Sequence, residues 1–147
     1  MKPFKYTISL RIEHPNIDPD EISTRLSLAP DTSWIAGSGR RTPAGRMLEG
    51  HHKKTYWSYI LEEDSDIDLA DQLHNFAYTI EPHKSFFRDI RATGGKSEFF
   101  IGWFSNASSS EVFSYQLLSK LAELEIDLAL NVYGEYSRRS PTRPTPG

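Results

Sequence analysis

The side chains best suited to bind a partner lie in a basic, glycine-rich segment between Asp31 and Thr55. This segment carries five lysines and arginines against one glutamate, so its local charge is +4 with neutral histidines. Arginine forks bind carboxylate or phosphate in pairs, and glycines let backbone amides approach an anion. We expect partner binding through the following residues: Trp34, Gly37, Gly39, Arg40, Arg41, Arg46, His52 and Lys53.

A second explanation of the segment stays open. Its Gly37-Ser38-Gly39-Arg40-Arg41 run lacks the lysine and the serine or threonine of a P-loop, so it is weak as a nucleotide motif. Long loops inside compact domains are either functional or disordered. A solvated loop would use the same charges only to maintain solubility, and partner binding is therefore a hypothesis beside that one.

Sequence motifs for catalysis or metal binding are absent. There is no G-x-S-x-G elbow and no H-E-x-x-H pattern, and on a strand His51 and His52 would point to opposite faces. Glu98 lies beside an apolar strand, and it would need a basic or histidine side chain nearby to act in catalysis. We expect no metal and no cofactor. The chain reads as non-catalytic, with an enzyme centred on Glu98 as an alternative.

The composition is that of an ordinary globular protein. At 147 residues, 37% of them apolar and 25% charged, one domain is expected. The absence of cysteine excludes disulfides, thiolate nucleophiles and cysteine-ligated metals. No apolar run reaches the ~18 residues of a membrane helix, and the alternating N-terminus lacks a signal-peptide core. We expect a cytoplasmic protein that does not enter a membrane.

Hydrophobic periodicity in the first half predicts the elements that flank the basic segment. Alternation over residues 4–13 predicts a strand with one wet face, as in an antiparallel or edge strand. We expect alternating strands of this kind at the periphery of the sheet and strands that are apolar on both faces at its centre. Asp18 is expected to cap a helix that Pro30 stops. Residues 31–55 show little periodicity, although Ser33-Trp34-Ile35 could add a short strand, and residues 56–61 form an interior strand that is apolar on both faces.

The second half alternates helices and strands. Apolar spacing predicts a helix at 67–80 and, after a break at Glu81-Pro82, a short helical piece. Residues 99–104 are apolar on both faces and contain Gly102, which indicates a bulge or the close approach of a neighbour. Alternation over residues 126–133 predicts a last strand. Before it, a capping box of Ser108 and Glu111 predicts a helix with the apolar stripe Val112, Tyr115, Leu118 and Ala122, broadened by Leu117, Leu121 and Leu124.

Together these elements predict an α+β fold. We expect a single-domain sandwich over residues 1–136, with helices mainly on one face of a four- or five-stranded mixed sheet. Residues 137–147, rich in proline and arginine, are expected to be a disordered tail. Tyrosines and tryptophans on an uncovered sheet face would favour a homodimer.

Several short motifs occur in a recognisable order. They are Ile17-Asp18-Pro19-Asp20-Glu21-Ile22, Leu26-Ser27-Leu28-Ala29-Pro30, Gly37 and Trp57, followed by the closing helix and the strand ending in Val132-Tyr133. This order resembles the bacterial family called domain of unknown function 4279, over about residues 4–136. Ser27 stands where that family more often has glycine. The resemblance implies an intracellular bacterial protein with a compact α+β domain, and it implies no activity, catalytic residue or cofactor.

On these grounds we expect a non-catalytic protein-interaction module. The basic segment and Trp34 would bind an acidic protein partner, with Trp34 as the anchor if its side chain is exposed. The acidic turn at residues 62–66 would be available for self-association. The alternative ligand is a nucleic acid or a phosphorylated small molecule, bound by the same segment in a salt-sensitive manner.

Overall fold

Residues 4–42, 44–62 and 66–134 are described by the computed structural model of the chain. The strands in these ranges are β1 (Lys5–His14), β2 (Thr32–Trp34), β3 (Gly39–Arg41), β4 (Met47–His51), β5 (Thr55–Ile60), β6 (Lys96–Ser105) and β7 (Ile126–Gly134). The α-helices are α1 (Pro19–Leu26), α2 (Leu69–Ile80), α3 (Lys84–Ala92) and α4 (Tyr115–Glu123). A 3-10 turn over Glu81–His83 separates α2 from α3, at the predicted break.

Five strands form one mixed sheet in the order β2-β5-β1-β6-β7. Neighbouring strands are antiparallel except β6 and β7, which are parallel. β3 and β4 pair separately as an antiparallel two-stranded sheet. The predicted α+β fold with a five-stranded mixed sheet is confirmed.

The prediction that alternating strands are peripheral is wrong for β1. This strand lies at the centre of the sheet, with β5 on one side and β6 on the other. Its alternation arises because the helices cover one face of the sheet, whereas no helix of the described ranges covers the other. Ile8, Leu10 and Ile12 are buried beneath the helices, whereas Thr7 and Arg11 lie on the opposite face with partial or full exposure. The alternation of apolar and polar residues along β1 therefore indicates an uncovered sheet face and not a position at the sheet edge.

The helices cover one face of the sheet and enclose a single hydrophobic core. The largest fully buried side chain is Trp57 of β5, whose indole nitrogen donates a hydrogen bond to Ser23 Oγ on α1 at 3.0 Å. Each helix contributes at least two buried side chains to this layer. Its principal members are Leu10, Ile12, Ile22, Leu69, Leu73, Phe87, Ile90, Phe99, Ile101, Leu117 and Leu121.

Helix α1 begins where it is predicted to begin and ends earlier than predicted. Asp18 Oδ1 accepts a hydrogen bond from the Asp20 amide at 2.9 Å, which satisfies one free donor of the first turn. The helix ends at Leu26, four residues before Pro30. Ser27 adopts a left-handed conformation with φ of 57°, a conformation that favours glycine. The chain therefore uses serine at a position suited to glycine.

The capping box predicted for Ser108 and Glu111 is wrong. Helix α4 begins at Tyr115, and its cap is Ser114, whose Oγ accepts a hydrogen bond from the Leu117 amide at 3.2 Å. The Glu111 carboxylate instead accepts a hydrogen bond from the Ala70 amide at 2.7 Å, at the start of α2. The spacing fits a local cap, but tertiary packing directs this side chain to a different helix terminus.

The apolar stripe predicted for α4 is on the wrong side. Leu117, Leu121 and the following Leu124 are buried, whereas Tyr115 and Leu118 are exposed, as is Val112 ahead of the helix. Because leucines occupy two adjacent stripes, spacing alone does not say which stripe meets the sheet.

Close approach at Gly102 is confirmed. A Cβ atom at this position would lie 2.7 Å from Thr7 Oγ1 on β1, and the pairing register continues through it without a bulge. In the described ranges no helix is long and apolar enough to cross a membrane. Residues 63–65 of the acidic turn and the predicted tail at 137–147 lie outside the described residues.

Candidate functional site

The basic segment predicted as a loop folds instead as a hairpin. Hydrogen bonds from the Gly37 amide to the His52 carbonyl (2.8 Å) and from the His52 amide to the Ser38 carbonyl (2.9 Å) lead into the β3–β4 pair. We call residues 35–54 the hairpin arm. All five residues of β4 are exposed. The arm shows no period of two in its sequence because both of its faces are wet.

The base of the arm is fixed to the sheet through Thr55. This buried side chain donates a hydrogen bond from Oγ1 to the Ile17 carbonyl at 2.6 Å, and it accepts one from the Ala36 amide at 3.0 Å. The two hydrogen bonds join both ends of the arm to the segment before α1. The arm therefore starts from a fixed point on the sheet edge.

Trp34 lies in a stack of three rings at the base of the arm. Its ring centroid is 4.1 Å from that of His52 and 4.8 Å from that of Tyr56, with interplanar angles of 13° and 27°. The side chain is half-buried. Protein rings stack against it on both sides, so a partner would contact its edge.

Four of the predicted binding cations are exposed on the arm. Arg40 and Arg41 donate hydrogen bonds to backbone carbonyls, those of Glu49 and Gly45, each at 3.1 Å. Among the described residues, neither arginine forms an ion pair with a carboxylate, and the same holds for Arg46 and Lys53. These four side chains are Arg40, Arg41, Arg46 and Lys53, and we call them the free cations.

The two glycines in the predicted site shape the arm. Gly37 has φ of +89°, and its amide is used by the His52 carbonyl. A Cβ atom on Gly39 would lie 3.0 Å from the terminal methyl of Met47, so glycine leaves room for that side chain across the hairpin. The arm thus offers arginine and lysine side chains to an anion, and the glycines set its path.

Apolar side chains on the arm were missed by reasoning from the sequence. Ile35, Met47 and Leu48 are 40%, 56% and 39% exposed, although apolar residues of this size are usually buried. The sequence feature that could have revealed them is the apolar pair Met47-Leu48, which lies between Arg46 and Glu49 in an otherwise polar segment. Arginine and methionine are both enriched at protein–protein interfaces, so the exposed Met47 beside Arg46 fits the composition of such a surface.

Glu98 lies near basic side chains, as the enzyme hypothesis requires. It lines a cavity of about 50 Å³ on the uncovered sheet face, together with Arg11, Glu13, Tyr56 and Lys96. Ligand pockets have volumes of roughly 300–1,000 Å³. The cavity is therefore too small for a substrate in this conformation, and the enzyme hypothesis stays a prediction.

A larger groove of about 600 Å³ lies between α1 and α3 and contains His14. The imidazole Nδ1 accepts hydrogen bonds from the amides of Asn16 and Ile17 at 3.1 and 3.0 Å. Nε2 lies 2.7 Å from Thr93 Oγ1 and must carry the proton, because Nδ1 accepts. Burial lowers the His14 pKa below its ordinary value, against a smaller opposing effect of the Glu21 charge. This imidazole has a structural role, since both nitrogens are occupied.

In the described ranges, no cluster of three or more histidine and carboxylate side chains is placed to hold a metal ion. The fold and site define a small α+β domain with one uncovered sheet face and a basic hairpin arm. The chain belongs to the family described as domain of unknown function (DUF4279), whose model matches residues 4–135. The resemblance noted from the motifs is confirmed. No curated protein and no solved structure matches the chain.

Proposed function

We propose that this chain is a non-catalytic protein-interaction module, whose hairpin arm binds an acidic and partly apolar segment of another protein. The observation that carries the proposal is the group of free cations on the arm. An exposed arginine without a carboxylate neighbour keeps its remaining guanidinium N–H donors for a ligand carboxylate. Cations that already form ion pairs on the surface would not offer these donors to a ligand.

The charge distribution supports an acidic partner. The arm carries +4, and since the whole chain carries −3, the remainder carries −7. An acidic partner is therefore attracted to the arm and repelled by the rest of the molecule. Such a charge distribution raises association rates and selects the docking orientation.

The apolar side chains on the arm favour a protein over a nucleic acid. Nucleic-acid surfaces combine cations with aromatic faces on which bases stack. Here the ring of Trp34 is already stacked between His52 and Tyr56, and the exposed apolar side chains beside the cations are aliphatic. Ile35, Met47 and Leu48 fit an apolar side chain of a peptide better than a base.

Three immobilised probes test the proposal at low salt. They are a peptide in which glutamates alternate with leucines, polyglutamate, and an oligothymidylate strand. We expect the tightest binding to the glutamate–leucine peptide. Replacing Arg40 and Arg41 with serine should weaken this binding about tenfold, since two ion pairs of about 0.7 kcal/mol each are lost.

A matched control removes the same charge elsewhere. Lys5 and Arg88 are exposed cations outside the arm, and serine at both positions should leave the affinity unchanged. Replacing Met47 and Leu48 with serine should remove the preference for the leucine-containing peptide over polyglutamate. Tighter binding of oligothymidylate would favour the polyanion alternative, and equal losses in the Arg40/Arg41 and Lys5/Arg88 variants would overturn the role of the arm.

A further inference from the structure

The two edges of the main sheet differ in how they are protected. At one edge, β2 is only three residues long and the chain before it covers β5: the Asp31 amide donates to the Ser58 carbonyl at 2.8 Å. The Asp31 carboxylate accepts a hydrogen bond from the Ile60 amide at 2.6 Å. A short strand and an edge carboxylate are both recognised means of preventing edge-to-edge pairing.

The edge at β7 lacks this protection in the described part of the chain. The strand has nine residues and pairs with β6 on one side, and no strand of the described ranges lies on its other side. Its register with β6 is continuous, so no bulge interrupts it. Its one charged residue, Asp127, lies near its start beside Arg91, and residues 128–134 contain neither a charge nor a proline. Long, uncharged, regular edges pair readily with another strand.

Apolar side chains flank this edge on the helix-covered side of the sheet. Leu130 and Val132 are 49% and 65% exposed, although they project to the same side as the buried core. Helix α4, which packs on β7, adds the exposed side chains of Tyr115 and Leu118. A partner strand paired with β7 would cover Leu130 and Val132. It would also form hydrogen bonds with the backbone N–H and C=O groups of this edge.

The strand is complementary to itself. An antiparallel pair of β7 strands with full overlap has its two-fold axis at Leu130, the central residue of Ile126–Gly134. Leu130 then faces its own copy, and Val132 faces Leu128 of the second copy. On the other side of the sheet Asn131 faces Ala129, and Tyr133 faces Asp127. On the helix-covered side apolar residues meet apolar residues, and the two aspartates are not opposed.

We propose that β7 is a self-association edge, at which two copies of this chain pair antiparallel about Leu130 and join their sheets into one of ten strands. The contact is isologous, so it closes at the dimer and leaves no further free edge of this kind. The hairpin arms emerge from the opposite edge of each sheet, which keeps both arms accessible. This inference does not depend on the proposed function.

Light scattering and sedimentation of the full chain test the proposal. The unmodified protein should be a dimer, and Val132→Lys should weaken it by roughly 100-fold, since two valines are lost from a two-fold interface and each costs about a factor of ten. Ile60→Lys places the same charge on an exposed residue near the opposite edge and should leave the dimer intact. Circular dichroism and urea unfolding check that each variant is folded.

A cross-linking experiment tests the register independently of the lysine variants. The chain has no cysteine, so Leu130→Cys introduces a single thiol. Directly opposed antiparallel residues have Cα atoms about 4.5–5.5 Å apart, within the range of a disulfide. Mild oxidation should link this variant into covalent dimers, whereas Val132→Cys, displaced from its own copy, should remain uncoupled.

Three results would overturn the proposal. They are a monomeric unmodified protein, a dimer that survives Val132→Lys, and a dimer lost in Ile60→Lys, which would place the interface on the uncovered sheet face. The variant with serine at Arg40 and Arg41 should remain dimeric. Loss of partner binding and loss of self-association are therefore separable.

Discussion

The helix-covered face of the sheet and the base of the hairpin arm each hold a tryptophan, Trp57 and Trp34, and the two side chains lie in different environments. Trp57 is fully buried, and its indole nitrogen is hydrogen-bonded to Ser23. Trp34 is half-buried between two other rings at the base of a projecting arm. The first region derives its stability from packed side chains, whereas the second holds exposed side chains on a backbone fixed at its base. Residue changes in the arm should therefore affect recognition more than folding.

The test with the largest expected effect replaces Trp57 and Trp34, one at a time, with alanine. Trp57→Ala should lower the free energy of unfolding by about 3–5 kcal/mol, because it leaves a large cavity in the core. Trp34→Ala should cost about 1–2 kcal/mol, since its ring is only half removed from water. Urea unfolding monitored by circular dichroism measures both. Equal losses would mean that the base of the arm contributes to stability as strongly as the core does.

The second test concerns the buried His14 side chain, which is hydrogen-bonded to Thr93. His14 has a lowered pKa, chiefly because of burial, and the folded state therefore favours its neutral form. As the pH falls below the ordinary value of 6.5, the unfolded chain takes up a proton that the folded protein resists, and stability declines. Above that value this contribution to stability is fully present.

Urea midpoints at about pH 7.5 and about pH 5.5 measure this dependence on either side of the ordinary histidine pKa. His14→Asn keeps a side chain able to accept from the Asn16 and Ile17 amides but cannot titrate. We expect a smaller acid-induced loss of stability in this variant than in the unmodified protein. An identical loss would assign the pH dependence to other groups.

The smallest expected effect is at the end of α1. Ser27→Gly should raise the free energy of unfolding by about 0.5–1 kcal/mol, because glycine relieves the cost of a left-handed backbone. Thr24→Gly, at an exposed position three residues earlier within the helix, is the matched control. It should lower the free energy of unfolding by about 0.3–0.5 kcal/mol, since glycine is the poorer helix former. If both substitutions are destabilising, the φ of Ser27 carries no appreciable strain.

Sequence patterns predicted the features that depend on local residue order. The strand of Trp57, the break at Glu81-Pro82 and the close approach at Gly102 are all local signals, and each is confirmed. The central position of β1 and the inward stripe of α4 were mispredicted, because both depend on which face of an element meets another. That information resides in tertiary packing.

The features of the candidate site also divide into those that the sequence predicted and those that it did not. The free cations were found from composition, since charge density is visible in any sequence. The hairpin was missed because an arm wet on both faces has no hydrophobic period. The stacking of Trp34 on His52 was missed because the two residues are 18 positions apart and meet only through the pairing of the arm. The composition of the segment predicted which charged side chains it carries, and strand pairing determines where they lie.

The central position of β1 also has a consequence for how the chain folds during synthesis. Ser9 pairs with Ile60 on one side and with Phe100 on the other, so its two neighbours lie about 50 and about 90 positions further along the chain, and contacts this distant slow folding. On the ribosome, β1 can join β5 early, but its second edge stays open until β6 emerges. β1 is therefore synthesised before the other strands of its sheet but is paired on both edges only after β6 emerges, and in that interval its unpaired edge is exposed to aggregation.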